Sequence, residues 1–414
     1  MSSSRTVLLR DCISLVIDYR GKTPKKLGRE WSLAGYRALS ARNIKTGQIV
    51  QPENVYYADD DLYHAWMKDE VQRGDILITS EAPFGQIYRW NSDEKIVLSQ
   101  RLFAIRPNNE ICDSRYLYYW MCSRSFQEEL KNRATGTTVI GLRQPELMKC
   151  PVSLPSMETQ LRIAGILTSL DAEIANLNLA NGHLLEIGQS LFDVKLGLCD
   201  STDGKAGVLS DIAEGNPRRK LSKNAFAKYV DMGSLSTSGS YPDGWNKRSY
   251  NGGMRFTNGD TLIARITPCL ENGKAAYVNF LDENEVAFGS TEYIVLTGKQ
   301  GIPNEIMYFL AKNETFVDYL IRHMTGSSGR QRVSVRDALN CPIYIPSDGL
   351  LQEIGQKLSE ILNAVRANSE QIMKLSQLRD TLLPKLMSGE IDVSKVELPT
   401  PPAQTVHANG RLSE

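Results

Sequence analysis

Cysteine and histidine are the side chains that most often bind metals or attack substrates, so their spacing limits the chemistry of the chain. The seven cysteines form no Cys-x-x-Cys pair, and the four histidines lie far from one another. Structural zinc sites usually place paired ligands close together in sequence, so we expect no metal site. Cys150 and Cys341 each precede a proline in similar segments. We interpret both as small core residues and not as nucleophiles.

The sequence also lacks the short motifs that hold nucleotides or carry out hydrolysis. Asn272-Gly273-Lys274-Ala275 resembles part of a phosphate-binding loop, but the upstream glycine and the following hydroxyl residue are missing. No dinucleotide-binding, zinc-protease, nucleophile-elbow or amino-methyltransferase signature is present. These absences favour a non-catalytic binding protein over an enzyme.

Composition sets broad limits on the class of protein. The chain has 414 residues, enough for two or three domains, and 41% of them are apolar. Its 48 basic residues balance 48 acidic ones. This argues against a protein that coats nucleic acid non-specifically, although a local basic cleft remains compatible with it. Since the cysteine count is odd and no signal peptide or membrane span is evident, we expect a cytoplasmic protein with reduced thiols.

The chain contains the same plan twice. Arg73–Ile78 and Asn258–Ile263 both place a Gly-Asp turn before an apolar run, at an offset of 185 residues. Thr135-Gly136 matches Thr325-Gly326, and Cys150–Ser156 matches Cys341–Ser347. Strand-like and helical periodicities recur in both halves. The predicted strands are Gly74–Thr79, Ile96–Ile105, Thr261–Ala264 and Tyr293–Leu296, and the predicted helices are Ser114–Leu130 and Glu305–Arg322.

Each half leads into a long amphipathic helix whose apolar residues alternate at spacings of four and three. This is a heptad seam of about four heptads, and Pro384 should end or kink the second helix. In an antiparallel pair whose facing residue numbers sum to 549, Asn181 meets Asn368, which would fix the register. The alternatives are a chance alignment of two polar residues, or a parallel pair that the intervening domain must span. The predicted pairing residues are Leu170, Ile174, Leu177, Asn181, Leu184, Val365, Asn368, Ile372 and Leu375.

The sequence therefore predicts an α+β protein with two similar domains, separated by two long helices that pair as an antiparallel coiled coil with internal pseudo-twofold symmetry. The predicted segments are a first α+β domain (1–155), a first long helix (156–197), a second α+β domain (198–346), a second long helix (347–391) and a disordered tail (392–414).

Several segments resemble one known family. Leu154–Leu167 is similar to the start of the conserved helix of type I restriction–modification specificity (S) subunits. Leu382–Ile391 resembles the "LLPKLLSGEI" segment that ends them, and Gly21–Pro24 resembles the "GGTP" turn of their target-recognition domains. Gly215-Asn216-Pro217 looks like a shortened counterpart of that turn. The resemblance extends from about Leu8 to Ile391.

The resemblance implies a function as well as a fold. In this family each target-recognition domain reads one half of a bipartite double-stranded DNA site, and the helices set the spacing and dock two methyltransferase (M) subunits. Restriction (R) subunits join this complex. The S subunit is non-catalytic and needs no cofactor, because S-adenosylmethionine, ATP and magnesium belong to the partners. The alternatives are a coiled-coil assembly scaffold that reads no bases, and a stand-alone enzyme such as a nuclease.

DNA recognition by this chain would use basic and polar residues on predicted turns, because arginine pairs with guanine, glutamine or asparagine pairs with adenine, and lysine more often holds phosphate. In the first domain the candidates are Arg20, Lys22, Thr23, Lys25, Lys26, Arg42, Lys45, Arg101, Arg133, Thr137 and Arg143. In the second domain they are Arg218, Arg219, Lys220, Arg265, Arg330, Gln331 and Arg332. For any single residue the competing interpretation is a solvated surface group.

Overall fold

The computed structural model describes residues 4–136, 140–199, 204–327 and 329–396. These residues form two compact units. The first unit comprises the described residues up to 172 and from 376 onward, and the second comprises those between 173 and 375. Both divisions fall within long helices, so each of these helices contributes one stretch to each unit.

The strands and helices follow a similar order in both units. The strands of the first unit are β1 (Arg5–Leu8), β2 (Ile13–Ile17), β3 (Tyr36–Leu39), β4 (Ile44–Lys45), β5 (Gln48–Ile49), β6 (Tyr56–Ala58), β7 (Ile76–Thr79), β8 (Ile87–Arg89), β9 (Ile96–Leu98), β10 (Leu102–Pro107) and β11 (Pro151–Leu154). Those of the second unit are β12 (Lys205–Val208), β13 (Ala213–Gly215), β14 (Phe226–Val230), β15 (Asn246–Ser249), β16 (Met254–Phe256), β17 (Thr261–Ala264), β18 (Ala275–Tyr277), β19 (Ala287–Gly289), β20 (Tyr293–Gly298) and β21 (Pro342–Ile345). The helices are α1 (Asp60–Trp66), α2 (Ser114–Cys122), α3 (Arg124–Arg133), α4 (Gln144–Leu147), α5 (Met157–Lys195), α6 (Glu305–Lys312), α7 (Glu314–Arg322), α8 (Val335–Leu339) and α9 (Asp348–Ser388).

The two units share most of their sheet topology. A central four-stranded sheet has the order β2-β10-β7-β8 in the first unit and β13-β20-β17-β18 in the second. A smaller sheet has the order β6-β3-β9 in the first unit and β15-β14-β19-β16 in the second, and it joins β3 to β9 and β14 to β19 in parallel. The two-stranded pairs β1-β11 and β12-β21 also correspond. The predicted α+β class with two similar domains is therefore confirmed.

Alternating side chains of the central strands are buried on both faces of the sheet. In β7, Ile76 and Ile78 pack in a core with α2 and α3, whereas Leu77 packs against the smaller sheet. In β17, Ile263 packs in the core that contains α6 and α7, whereas Leu262 packs against the smaller sheet. Strand periodicity of two produces this division. Because both faces are covered, the central strands can present side chains to solvent only from the loops at their ends.

A Gly-Asp turn precedes β7 and β17 in the two units. Gly74 and Gly259 have positive φ angles of 98° and 91°, which favour glycine. The following carboxylates, Asp75 and Asp260, are buried. Each accepts the backbone N–H three residues earlier, at 2.9 and 2.8 Å, and pairs with an arginine at 2.8 and 2.7 Å. The repeated sequence motif is thus a buried ion pair that starts a core strand.

Two predicted elements are divided in the structure. The predicted strand Ile96–Ile105 is two strands in different sheets, because the chain turns at Arg101, which has a φ of 61°. The predicted helix Ser114–Leu130 breaks at Ser123, whose side chain caps α3. The predicted helix Glu305–Arg322 breaks at Asn313, which caps α7. Apolar periodicity continued across these breaks, and the capping side chains decided where each helix begins.

The long helices pair in antiparallel orientation, as predicted. In the second unit, Asn368 Nδ2 donates to Asn181 Oδ1 at 2.9 Å, and Asn181 Nδ2 lies 3.3 Å from Ser369 Oγ. Gly188 faces Ile361 one heptad away, so both pairs of residue numbers sum to 549. The remaining predicted pairing residues are a buried Val365 and the half-buried Leu170, Ile174, Leu177, Leu184, Ile372 and Leu375.

A second polar contact joins the helices within the first unit. Asp171 accepts a hydrogen bond from Arg379 Nη1 at 2.9 Å and another from the Tyr119 hydroxyl at 2.6 Å. The carboxylate therefore ties α5 to both α9 and α2. Polar pairs within an apolar seam penalise shifted registers, because a shift leaves them unpaired.

The end of the chain differs from the prediction in two ways. Pro384 does not end α9, which continues to Ser388 and buries Leu386 and Met387 in the core of the first unit. Residues 392–396 are ordered: Val393 is buried, and Arg162 Nη1 donates to the Val396 carbonyl at 3.0 Å. The prediction of disorder is therefore wrong for these five residues, because an apolar side chain near the end packs in the core. Residues 397–414 lie outside the described part of the chain.

Two glycines of α5 provide a matched test of helix packing. A Cβ at Gly188 would lie 2.5 Å from Cζ of the buried Phe309, whereas a Cβ at Gly182 would meet nothing within 4 Å. Alanine improves helix propensity by up to about 1 kcal/mol at either position, but crowding a packed core costs about 1–3 kcal/mol. We expect Gly188→Ala to lower the thermal and urea midpoints and Gly182→Ala to keep or raise them. Equal midpoints for the two variants would contradict this packing.

Candidate nucleic-acid interface

A groove of about 940 Å³ opens at one edge of the central sheet of the first unit. Because β10 is antiparallel to its neighbours, Leu102 at its start lies beside Thr79 at the end of β7, and Ala104 lies beside Ile17 at the end of β2. The loops leaving β2 and β7 and the turn entering β10 therefore meet at this edge. The residues lining the groove are Asp18, Tyr19, Arg20, Gly21, Lys22, Thr23, Lys26, Ser80, Glu81, Gln100, Arg101, Thr135, Gly141, Leu142 and Arg143.

Cationic side chains outnumber acidic ones in this groove, five to two. Two of the five also hold its wall together. Arg20 pairs with Asp18 at 2.6 Å and donates to the Leu142 carbonyl at 3.2 Å. Lys22 donates to the carbonyl of Trp66 and lies 4.3 Å from the Tyr19 ring centre. Burial lowers the pKa of Lys22 below that of an ordinary lysine.

The other three cations of the groove are more accessible. Lys26, Arg101 and Arg143 have exposed side chains. Arg101 lies 3.1 Å from Glu81 across the groove wall, and Gln100 beside it is also exposed. These side chains can reach a polyanion and offer paired donors and acceptors to planar hydrogen-bonding edges.

An aromatic cavity of about 290 Å³ adjoins the groove and shares Lys22, Thr23, Gln100 and Arg101 with it. Its wall contains Trp31 stacked on Tyr56, with ring centres 5.2 Å apart and planes within 10°. The Arg42 guanidinium lies 5.8 Å from the Tyr56 ring centre. A flat aromatic surface beside a cationic groove is suited to unsaturated rings and to methyl groups.

At the corresponding edge of the second unit, one carboxylate holds two arginines. Arg332 binds Glu292 at 2.7 Å through Nη2, and Arg265 Nε lies 3.4 Å from the same carboxylate. The Arg332 hydrogen bond is the main cause that lowers the pKa of Glu292. The Arg265 Nε–H is buried and makes no hydrogen bond of acceptable geometry within the described part of the chain. This edge therefore presents ion-paired arginines, whereas the first unit presents more accessible lysine and arginine side chains.

The structure brings most predicted contacts of the first domain to this groove and its cavity. They are Arg20, Lys22, Thr23, Lys26, Arg101 and Arg143 in the groove, and Arg42 in the cavity. Lys25 and Lys45 are exposed but line neither space. Arg133 pairs with Glu129 at 2.6 Å and lines a separate depression with Arg143. Thr137 lies outside the described residues.

The predicted contacts of the second domain are less uniform. Arg218, Lys220 and Arg330 are exposed, whereas Arg219 is held by the buried Asp260. Gln331 is fixed through its backbone N–H, which donates to Thr267 Oγ1 at 3.1 Å. Arg265 and Arg332 surround Glu292 as described above.

The described residues contain no candidate metal cluster, and neither Cys150 nor Cys341 is an activated thiol. No three His, Cys, Asp or Glu side chains there are placed to hold a metal ion. Cys150 is buried, and burial raises the pKa of its thiol to about 12. A hydrogen bond with Cys199 raises the pKa of Cys341. Thiols with raised pKa values are poor nucleophiles. Separately, no helix within the described ranges has the length and apolar character to cross a bilayer.

Known proteins with similar sequences share one description. Residues 40–182 match the model of the type I restriction modification DNA specificity domain. The MjaIX specificity subunit of Methanocaldococcus jannaschii is 25% identical over 352 residues, which cover 78% of this chain and 79% of that protein. The HindI specificity subunit of Haemophilus influenzae is 21% identical over 403 residues and is covered to 88%. Over most of its length the chain is therefore similar to type I restriction–modification specificity subunits.

The fold of the chain also has a solved counterpart. The crystal structure of the S subunit from M. genitalium matches with a TM-score of 0.56 at 16% identity, covering 93% of this chain and 96% of that one. At this identity the match concerns the fold alone. It agrees with the repeated topology described above.

The sequence did not predict several residues of the groove. Gln100 lines both the groove and the cavity, and Ser80 and Glu81 line the groove. The polar run Ser99-Gln100-Arg101 within the apolar segment 96–105 was the available signal, because it marks a turn and not a continuous strand. Trp31 gave no such signal, since its position at the cavity depends on contacts distant in sequence.

The Glu292 ion pairs predict a specific pH dependence. Because the folded pKa is lowered, the ionised carboxylate stabilises the fold above the ordinary glutamate pKa of about 4.3, and this contribution is lost as the pH falls through the lower folded value. We expect Glu292→Gln to melt at a lower temperature than the wild type at pH 7, and the difference to shrink towards pH 3. The exposed Glu283 provides the control Glu283→Gln, which should show little difference. A difference independent of pH would show that the ion pairs are not its source.

Proposed function

We propose that this chain is the DNA-reading subunit of a type I restriction–modification complex, in which each unit reads one half of a bipartite site. The paired helices α5 and α9 set the number of unread base pairs between the halves and dock two M subunits. The observation that supports base reading most directly is the groove of the first unit, where accessible arginine, lysine and glutamine side chains meet at one sheet edge.

The chemistry of the groove suits a major-groove contact. A guanidinium such as that of Arg101 can donate two hydrogen bonds to guanine, and an amide such as that of Gln100 can pair with adenine. Lys26 and Arg143 at the rim are suited to phosphates, which supply affinity but no sequence information. The same loops recur at the corresponding edge of the second unit with different side chains, as expected if the two half-sites differ.

Partner docking is supported by the outer surface of α5. Leu179, Ile187 and Val194 are 61%, 59% and 76% exposed and recur at intervals of eight and seven residues, so they share one side of the helix. A shallow apolar depression surrounds Ile187 and Val194. Exposed apolar stripes on a helix are typical of surfaces that another helix covers.

The chain itself is non-catalytic in this proposal. The M subunits would bind S-adenosylmethionine and transfer the methyl group, and the R subunits would use ATP and magnesium. The scaffold alternative assigns the same partners but no base reading. Co-expression with the neighbouring methyltransferase, followed by mass measurement and footprinting on a randomised DNA library, tests both. We expect two M subunits per chain and protection of a split site; uniform weak protection would support the scaffold, and absence of M subunits would contradict the role.

Rim lysine and arginine residues should contribute to affinity through counterion release. Lys26→Ala and Arg143→Ala should each weaken binding to all DNA sequences and reduce the slope of log K against log salt by about 1. Lys149→Ala is the matched control, because Lys149 is exposed, ion-paired with Glu146 and absent from the groove lining. Fluorescence anisotropy of the assembled complex between about 50 and 200 mM salt measures these slopes. An unchanged slope for both rim variants would remove the groove from the interface.

A further inference from the structure

The loops at the reading edge of each unit are held by the same main-chain hydrogen bonds. The Ser80 N–H donates to the Arg101 carbonyl at 2.8 Å, and the Arg265 N–H donates to the Glu292 carbonyl at 3.0 Å. A later segment of the chain binds to the same loop in both units. The Leu142 N–H donates to the Ser80 carbonyl at 2.9 Å, and the Val333 N–H donates to the Arg265 carbonyl at 3.0 Å.

A third pair of bonds completes the correspondence. Thr135 and Gly141 exchange backbone hydrogen bonds at 3.0 and 2.8 Å, and Thr325 and Arg332 do so at 2.8 and 2.9 Å. We call these main-chain bonds the loop frame of each unit. No side-chain atom takes part in them, so the frame itself does not require particular side chains.

The side chains carried by the two frames differ in charge. In the first unit, Glu81 pairs with Arg101, and Gly141 opposite them would place a Cβ 3.8 Å from the Glu81 carboxylate. In the second unit, Glu292 stands at the position of Arg101, and arginines stand at the positions of Ser80 and Gly141. Each frame thus has one carboxylate at its centre, with one arginine in the first unit and two in the second.

The Glu81–Arg101 pair is poorly explained as a stabilising contact. Its side chains are 35% and 50% exposed, and ion pairs with such exposure add little to stability. Both residues line the groove, and Arg101 also lines the aromatic cavity. When a carboxylate binds a guanidinium beside the edge of a base, it fixes which of the guanidinium N–H groups face that edge.

We propose that the carboxylate-centred cluster in each unit, Glu81 with Arg101 and Glu292 with Arg265 and Arg332, determines the base preference of that unit's half-site. This inference rests on the proposed function. The arginines present donors to guanine-like edges, and a carboxylate without a bound arginine accepts from the cytosine amino group. Exchanging the charges on an unchanged frame should therefore exchange the preferred base pair.

Reversal of the ion pair separates reading from stability. The double variant Glu81→Arg/Arg101→Glu keeps an attractive pair at the same two positions. The control Arg73→Asp/Asp93→Arg reverses a more exposed ion pair, whose Arg73 precedes β7 at the end of that strand away from Glu81. The single variant Arg332→Gly gives the second unit a glycine at the position that Gly141 has in the first unit. Each variant is assembled with M subunits and used to methylate a randomised DNA library, and its melting temperature is measured.

We expect the reversed Glu81–Arg101 pair to melt close to the wild type and to change preference at one or two base pairs of one half-site, by about 10- to 100-fold. The other half-site should be unchanged. Arg332→Gly should alter only that other half, and the Arg73–Asp93 reversal should alter neither.

A reversed Glu81–Arg101 pair that melts normally and retains both wild-type half-sites would overturn the inference. A change of both half-sites together would also overturn it, because it would indicate a general loss of binding. If the double variant does not fold, Arg101→Gln, which removes the charge but keeps a polar side chain, gives the same test on one half-site. A wild-type complex that methylates no defined sequence would instead refute the proposed function.

Discussion

Burial of both faces of the central sheet is the constraint that the rest of each unit depends on. Neighbouring residues of β7, β10, β17 and β20 point alternately into a helical core and into a core formed with the smaller sheet. Side chains in the middle of these strands are therefore buried and cannot contact a ligand. Antiparallel pairing then brings the end of β7 to the start of β10, and the end of β17 to the start of β20. The accessible polar chemistry is consequently concentrated in the loops at that edge.

The start of each central strand depends on a buried carboxylate. Asp75 and Asp260 close their own turns and pair with arginines that come from different parts of the sequence, Arg106 in β10 and Arg219 after β13. Removal of one partner from such a pair leaves an uncompensated buried charge, which costs about 3–5 kcal/mol. The motif that first showed the internal repeat is therefore a folding element. Arg219, predicted as a DNA contact, belongs to it.

Local sequence patterns predicted some features well and missed others for identifiable reasons. The heptad spacing predicted the antiparallel helix pair, because a seam of that length has few ways to be buried, and Asn181 lies opposite Asn368. The breaks at Arg101, Ser123 and Asn313 were missed because apolar periodicity runs through them. The approach of Glu81 to Arg101, and of Glu292 to Arg332, depends on strand pairing across distant segments. A charged residue on a turn looks the same in sequence whether it faces solvent, a carboxylate or a ligand.

The loop frames consist of main-chain hydrogen bonds, and this has a consequence for how such a protein can change over generations. Replacing Arg101 or Arg332 by another residue leaves every bond of its frame in place. Substitution of the exposed Arg101 should therefore cost less folding free energy than substitution of Asp75 or Asp260, whereas substitution of Arg332 also removes its ion pair with Glu292. Since the two units also fold around separate hydrophobic cores, a lineage can explore new preferences in one half while the other half keeps its own.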